Sequence, residues 1–121
     1  MPRIVHFELY AENPQRAVDF YQQVFGWQVQ KWNGPQDYWL VTTGPNDQPG
    51  INGGILRRQG NMHCVNTIQV DSVDEFVAKI QQHGGQIVVS KMPIPGVGYL
   101  AYFKDPEDNI VGVMHPDPSA K

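Results

Sequence analysis

The residues of this 121-residue chain best suited to moving a proton are His6 and Glu8, two positions apart in His6-Phe7-Glu8. In an extended strand that spacing puts both side chains on one face, ~6.5 Å apart along the chain. An imidazole and a carboxylate so placed can act as general acid and base, or orient a substrate, with burial perturbing both pKa values. A purely structural hydrogen-bonded pair has the same appearance in sequence, and both readings stand at this level. The remaining histidines carry less. His83 precedes Gly84 at a helix end, where the dipole favours it. His63 stands at a strand start, and His115 lies in a tail with no site role. Cys64 has no partner for an intrachain disulfide and is expected as a small buried hydrophobe. Gly53-Gly54 and Gly84-Gly85 lack phosphate-loop spacing, and no nucleophile elbow surrounds Ser72, Ser90 or Ser119.

Those side chains need strands to hold them. Ile4 to Tyr10 alternates, with Val5, Phe7 and Leu9 forming the face that meets a helix and His6 and Glu8 pointing away. Asn13-Pro14 reads as N-cap and first helical residue. Ala17, Phe20, Tyr21 and Val24 mark an amphipathic stripe, and Gly26 is the stop. Strands are expected over 27–32, 38–43 and 51–57, separated by Asn33-Gly34-Pro35 and by the loop 44–50. The pattern then recurs: a strand over 65–70, Ser72 as N-cap, and Val73, Phe76, Val77 and Ile80 as a helical stripe. Gly84-Gly85 follows, then strands over 86–89, 99–104 and 109–115. Asn13 to Ser72, Gly26 to Gly85 and Val18 to Val77 all share an offset of 59 residues. Duplication on that scale implies an α+β fold of two βαβββ repeats. We expect one domain over 1–121, with repeats 3–60 and 63–115.

Hydrophobic residues at 40% and charged residues at 17% suit a packed globular chain. The nine Lys and Arg residues are dispersed and the net charge is −3, so no phosphate-tracking stripe exists and nucleic acid is not an expected partner. No run approaches the ~20 apolar residues of a membrane helix, and no secretory pattern opens the chain. A cytoplasmic protein is expected.

Taken together, His6-Phe7-Glu8-Leu9, Arg16 to Tyr21, Val24-Phe25-Gly26-Trp27, Val70 to Asp74, Gly84-Gly85 and Asp105-Pro106-Glu107-Asp108-Asn109 make the chain similar to the vicinal oxygen chelate superfamily. That superfamily includes glyoxalase I, bleomycin-resistance proteins and extradiol dioxygenases. Phe25-Gly26-Trp27 and Pro95-Gly96-Val97-Gly98 resemble its glyoxalase-like branch of small enzymes. The resemblance implies curved mixed sheets around a cleft with helices outside, a small-molecule ligand and a homodimer. It also implies four metal-ligand positions, which fall here on His6, Gly53, Val65 and Gly112. Only His6 can donate, and a catalytic divalent centre generally needs about three protein ligands. No cofactor is therefore expected, a divalent metal held by displaced donors being the lesser alternative.

For a cleft of this kind the expected wall is Trp39, Thr67, Gln69, Tyr99, Tyr102 and Met114, with Trp32 and Tyr38 as further aromatics. Residues 91–98 fit either a lip over the opening or a strand bend. Three functions stay open: a metal-independent lyase or isomerase acting through His6 and Glu8, a ligand-sequestering protein of bleomycin-resistance type, or a dimeric interaction domain with a vestigial cleft.

Overall fold

A computed structural model describes residues 1–121. The elements run β1 (Arg3–Ala11), α1 (Pro14–Phe25), β2 (Gln28–Lys31), β3 (Tyr38–Thr42), β4 (Asn52–Arg57), β5 (Cys64–Gln69), α2 (Val73–Gln82), β6 (Gln86–Ile94), β7 (Gly98–Lys104) and β8 (Ile110–Pro116). The architecture is α+β, and βαβββ occurs twice. The chain forms two compact units: His6–Val65, and Met1–Val5 with Asn66–Lys121.

In the His6–Val65 unit the strand order is β2-β3-β4-β1. β2, β3 and β4 pair antiparallel, and β1 joins β4 in parallel. Helix α1 covers one face of this sheet. Its entry follows local chemistry: Asn13 Oδ1 accepts the Arg16 N–H at 3.1 Å, and Pro14 occupies the first turn where its missing N–H is not needed. At its end Gly26 takes φ +71° and returns its N–H to the Gln22 carbonyl, a left-handed cap that glycine adopts without Cβ strain. The buried side of α1 differs from the expected stripe. Pro14 and Val18 are buried, and Ala17 and Tyr21 pack with Val18, Val41 and Ile55, whereas Phe20 and Val24 are 54% and 56% exposed. Positions 14, 17, 18 and 21 share one helical face, so rotating the stripe by one residue puts Phe20 and Val24 on the flank.

The second unit orders its strands β5-β8-β7-β6, with β5–β8 parallel and the rest antiparallel. Val70, Val73, Ala101 and Val113 form its core, joined by Phe76, Val77 and Ile80 from α2, as the periodicity predicts. Ser72 Oγ caps the Glu75 N–H at 3.2 Å. Residues 86–94 form one long strand with register shifts between Ile87 and Val89 and between Val89 and Met92. Of the two readings of residues 91–98, the strand is the one the structure adopts up to Ile94, with Pro93 opposite Tyr99. His115 belongs to β8 and is not a loose tail. Its Nδ1 accepts the Val73 N–H at 2.8 Å, satisfying a donor at the start of α2 that has no partner inside the helix. Cys64 is exposed, contrary to the expectation of a buried residue, because odd and even strand positions face opposite ways and Val65 is the buried neighbour. No helix is long and apolar enough to cross a membrane.

Candidate functional site

Strand parity in the His6–Val65 unit separates two faces. Phe7, Leu9, Trp39, Val41 and Ile55 pack toward α1. The other face carries His6, Glu8 and Tyr10 from β1, and the register aligns Glu8 with Gly54, Gly54 with Leu40, and Leu56 with both Tyr10 and Tyr38. Tyr38 is the first residue of β3, and it leans over Gly54. A Cβ at Gly54 would fall on the Tyr38 hydroxyl and ring. Glycine is required there because an aromatic ring takes up the volume that any side chain would need.

The outcome is a compact polar cluster. The Tyr38 hydroxyl stands 2.7 Å from His6 Nε2, and the two rings stack at 6.5 Å. Tyr10 donates its hydroxyl to Glu8 Oε1 at 3.1 Å. Glu8 is 6% exposed, and its carboxylate also engages the Tyr38 hydroxyl. Burial is the main cause that pushes the Tyr38 pKa up, reinforced by the Glu8 charge and by the hydrogen bond to it. Burial lowers the His6 pKa, and the Glu8 charge offsets part of that shift. The tyrosine is thus held neutral, and the histidine is biased toward its neutral form. Trp32 meets Tyr38 edge to face at 6.2 Å, and Leu40 is 43% exposed on the same face, so an apolar margin borders the polar cluster.

Register also corrects one of the implied ligand positions. Gly53 pairs with Phe7, and a Cβ there would meet the Phe7 ring at 2.7 Å, which places it on the α1 side. In the second unit Gly112 pairs with Thr67, which lies 59 residues after Glu8, and the partner of Glu8 is Gly54. The repeat offset is therefore 58 on the last strand of each unit. A one-residue slip reverses which way a strand residue faces, and this slip is invisible to an offset taken from the helices. Gly54 offers no donor either. No group of three or more His, Cys, Asp or Glu side chains stands together to hold a metal ion. A divalent metal is common in the family the sequence resembles, but the donors on this strand face do not fit one.

The other expected wall residues divide by face. In the second unit Thr67 and Tyr102 are buried beside Gly112, where a Cβ would stand 3.0 Å from Thr67 Oγ1 and 3.3 Å from the Tyr102 ring. Gln69 pairs with Met114 on the same strands. Trp39 and Tyr99 are set among the helix-side cores of their respective units, away from these faces. Tyr99 also lies under Lys91 Nζ at 4.7 Å and beside His115. Sequence alone marks Tyr38 only as an aromatic wall and assigns Tyr10 no role. The alternation His6, Glu8, Tyr10 is the available signal for Tyr10. Tyr38 needs the β3–β4 register.

The chain belongs to the Glyoxalase/Bleomycin resistance protein/Dioxygenase superfamily, whose family model matches residues 3–113. Among curated relatives, a Mycobacterium tuberculosis protein named as a glyoxylase, CFP32, is 29% identical over 113 residues, covering 92% of this chain and 43% of the relative. The chain thus spans less than half the length of that relative. Lactoylglutathione lyase of Escherichia coli O157:H7 is 26% identical over 116 residues, covering 87% of this chain and 86% of the enzyme. Among solved structures, Streptomyces coelicolor methylmalonyl-CoA epimerase, in complex with 2-nitronate-propionyl-CoA, superposes with a TM-score of 0.68. It has 14% identity, with 98% of this chain and 97% of the epimerase covered. At that identity the likeness concerns the fold.

Proposed function

We propose that this protein binds a small molecule beside His6, on the sheet face of the His6–Val65 unit that carries His6 and Glu8, and moves a proton on it through Glu8, Tyr38 and His6, as an isomerase or lyase that needs no metal. The observation that carries this reading is the Tyr38 hydroxyl at 2.7 Å from His6 Nε2, standing where a side chain at position 54 would otherwise project.

The proton inventory runs from the buried end outward. Glu8 accepts from Tyr10 and from Tyr38, which is the direction that raises the tyrosine pKa. The Tyr38 oxygen then accepts the Nε2 proton of neutral His6. Nδ1 is left as the unprotonated ring nitrogen, the atom available as a base. It removes a proton from a carbon made acidic by an adjacent carbonyl. The imidazolium so formed is stabilised through Tyr38 by the Glu8 carboxylate, and it returns the proton to the same or a neighbouring carbon. Positioned acid–base catalysis of this type contributes about 10²–10⁴-fold. Lactoylglutathione lyase and methylmalonyl-CoA epimerase, both similar to this chain, are in keeping with carbonyl-bearing substrates. The homodimer implied by the family belongs to the same reading, as does a cytoplasmic location.

Exposed Leu40 beside Trp32 and Tyr38 favours a second reading, sequestration of an apolar ligand without chemistry, which requires only a complementary wall. Exchange of substrate C–H for deuterium separates the two. In D2O, wild-type protein should accelerate exchange at the carbon beside the carbonyl in one or more of a panel of 2-hydroxy carbonyl compounds and acyl thioesters. His6→Asn should lose about 10²-fold or more of that rate. Tyr38→Phe, which keeps the ring, should fall between the two. A panel whose members bind but never exchange would leave sequestration as the function. Equal rates in wild type and Tyr38→Phe would remove the relay.

A further inference from the structure

Tyr38 is held from three sides. Gly54 of β4 leaves room for its ring, and His6 Nε2 of β1 meets its hydroxyl at 2.7 Å. The third side is Trp32, which follows β2. The β2–β3 register pairs Lys31 with Trp39, and the Trp32 N–H continues that ladder to the Tyr38 carbonyl at 2.8 Å. Trp32 and Tyr38 are therefore opposite one another, and side chains opposite each other on an antiparallel pair share a face. Their rings meet edge to face, 6.2 Å between centroids and 76° between planes, a favoured aromatic arrangement.

The indole is itself fixed. The chain turns back after it, and a Cβ at Gly34 would fall on the six-membered ring of Trp32. Glycine lets the backbone lie directly against that ring. Asp37 ties the same turn to both flanking strands, 3.3 Å from Lys31 Nζ of β2 and 3.8 Å from Arg57 Nη2 of β4. Those ion pairs are exposed and contribute little energy, so the contact with Gly34 is what seats the indole. In the strand order β2-β3-β4-β1, Tyr38 leans toward β4 and β1, and Trp32 stands behind it. A strand backbone allows a tyrosine more than one rotamer. The rotamer that puts the hydroxyl on His6 needs a wall behind the ring, and Trp32 is that wall.

We infer that Trp32 is a positioning residue for the proton transfer proposed above: seated on Gly34, it backs the Tyr38 ring from the β2 side and keeps the hydroxyl on His6. Its part in turnover rests on that proposed function. Its hold on Tyr38 does not, and is read in the free protein.

The His6 imidazole resonances, followed by NMR against pH, report whether Tyr38 still covers the ring, because burial is the main cause that lowers the His6 pKa. In Trp32→Leu the midpoint should rise toward the ordinary value of about 6.5. Gly34→Ala should raise it too, with Trp32, Tyr38 and His6 all present, because the added methyl displaces the indole. Trp32→Phe, which keeps an aromatic ring, should titrate closer to wild type. In a Tyr38→Ala background Trp32→Leu should add no further shift, since a residue acting through Tyr38 has nothing left to hold. A loss of global stability alone moves none of these midpoints. Any carbonyl compound of the panel that wild type exchanges in D2O should be exchanged about tenfold more slowly by Gly34→Ala. A His6 midpoint unchanged in both Trp32→Leu and Gly34→Ala would overturn the proposal, as would an undiminished shift from Trp32→Leu in the Tyr38→Ala background. Shifted midpoints in a protein that exchanges no compound of the panel would instead remove the proposed proton transfer and leave the hold of Trp32 on Tyr38 standing.

Discussion

Gly54 and Tyr38 are a matched pair, because the ring of one fills the side-chain volume of the other. Adding a methyl at Gly54 forces Tyr38 to move, since the Cβ would coincide with the phenol. Gly54→Ala should therefore cost about 1–3 kcal/mol of stability and disturb the hydroxyl position opposite His6. Gly112 is the formal counterpart, but there a Cβ would sit 3.0 Å from Thr67 Oγ1 and 3.3 Å from Tyr102, a tightness that shifts of a few tenths of an ångström relieve. Gly112→Ala should be the milder change. Urea unfolding of both variants checks the order, and a Gly54→Ala protein as stable as Gly112→Ala would contradict it. Tyr38→Phe is the companion test. It leaves Glu8 and His6 in place and removes only the oxygen between them, so catalytic loss should exceed any loss in urea midpoint.

For the elements, both helices are started by side chains that the sequence announces. Asn13 and Ser72 each accept the N–H three residues on, and Asn13→Ala or Ser72→Ala should each cost about 1 kcal/mol by thermal or urea unfolding. α2 has a further acceptor in His115 Nδ1, which comes from β8 and bonds the Val73 N–H. That bond requires an unprotonated Nδ1. The caps and the α2 stripe are legible because they rest on contacts a few residues apart. The α1 stripe is legible only to within one helical position. Phe20 and Val24 satisfy helical periodicity as well as Val18 does, and only the packing of Val41 and Ile55 on Val18 chooses between adjacent faces. The bulged course of β6 is likewise hidden in residues 91–98, since Pro93 disfavours a central strand but is tolerated at an edge or bulge.

At the scale of the whole molecule, duplication supplies two units built alike, each with one helix packed on a mixed sheet that contains one parallel pair. The buried cluster of His6, Glu8, Tyr10 and Tyr38 lies in the first of them. Its burial makes a testable contribution to stability as a function of pH. The His6 pKa is lowered in the folded protein below its ordinary value of about 6.5. In the window between the lowered value and 6.5 the unfolded chain binds the proton more readily. Stability should thus be fully present above about pH 6.5 and decline as the pH falls through that window. His6→Gln should flatten this decline relative to wild type in urea midpoints taken across the range, and parallel profiles would exclude His6 as a source. For the assembled state, sedimentation should give twice the 13.7 kDa of the chain if the dimer in the proposed function exists, and a single-chain mass at all concentrations if it does not.

The duplicated βαβββ pattern, the helix caps, the family, and the placing of His6 and Glu8 on one strand face are all written in the order of the amino acids. They follow from local periodicity, capping chemistry or an offset shared by the two helices. What those two residues touch is a product of folding. Strand pairing brings Tyr38 from 32 residues away onto His6, sets Gly54 rather than Gly53 beneath it, and places Trp39 and Tyr99 with the helices. The physical reason is register, which fixes the alternate residues that share a face. One residue of slip in a connecting loop reverses the assignment without leaving a mark in the local sequence.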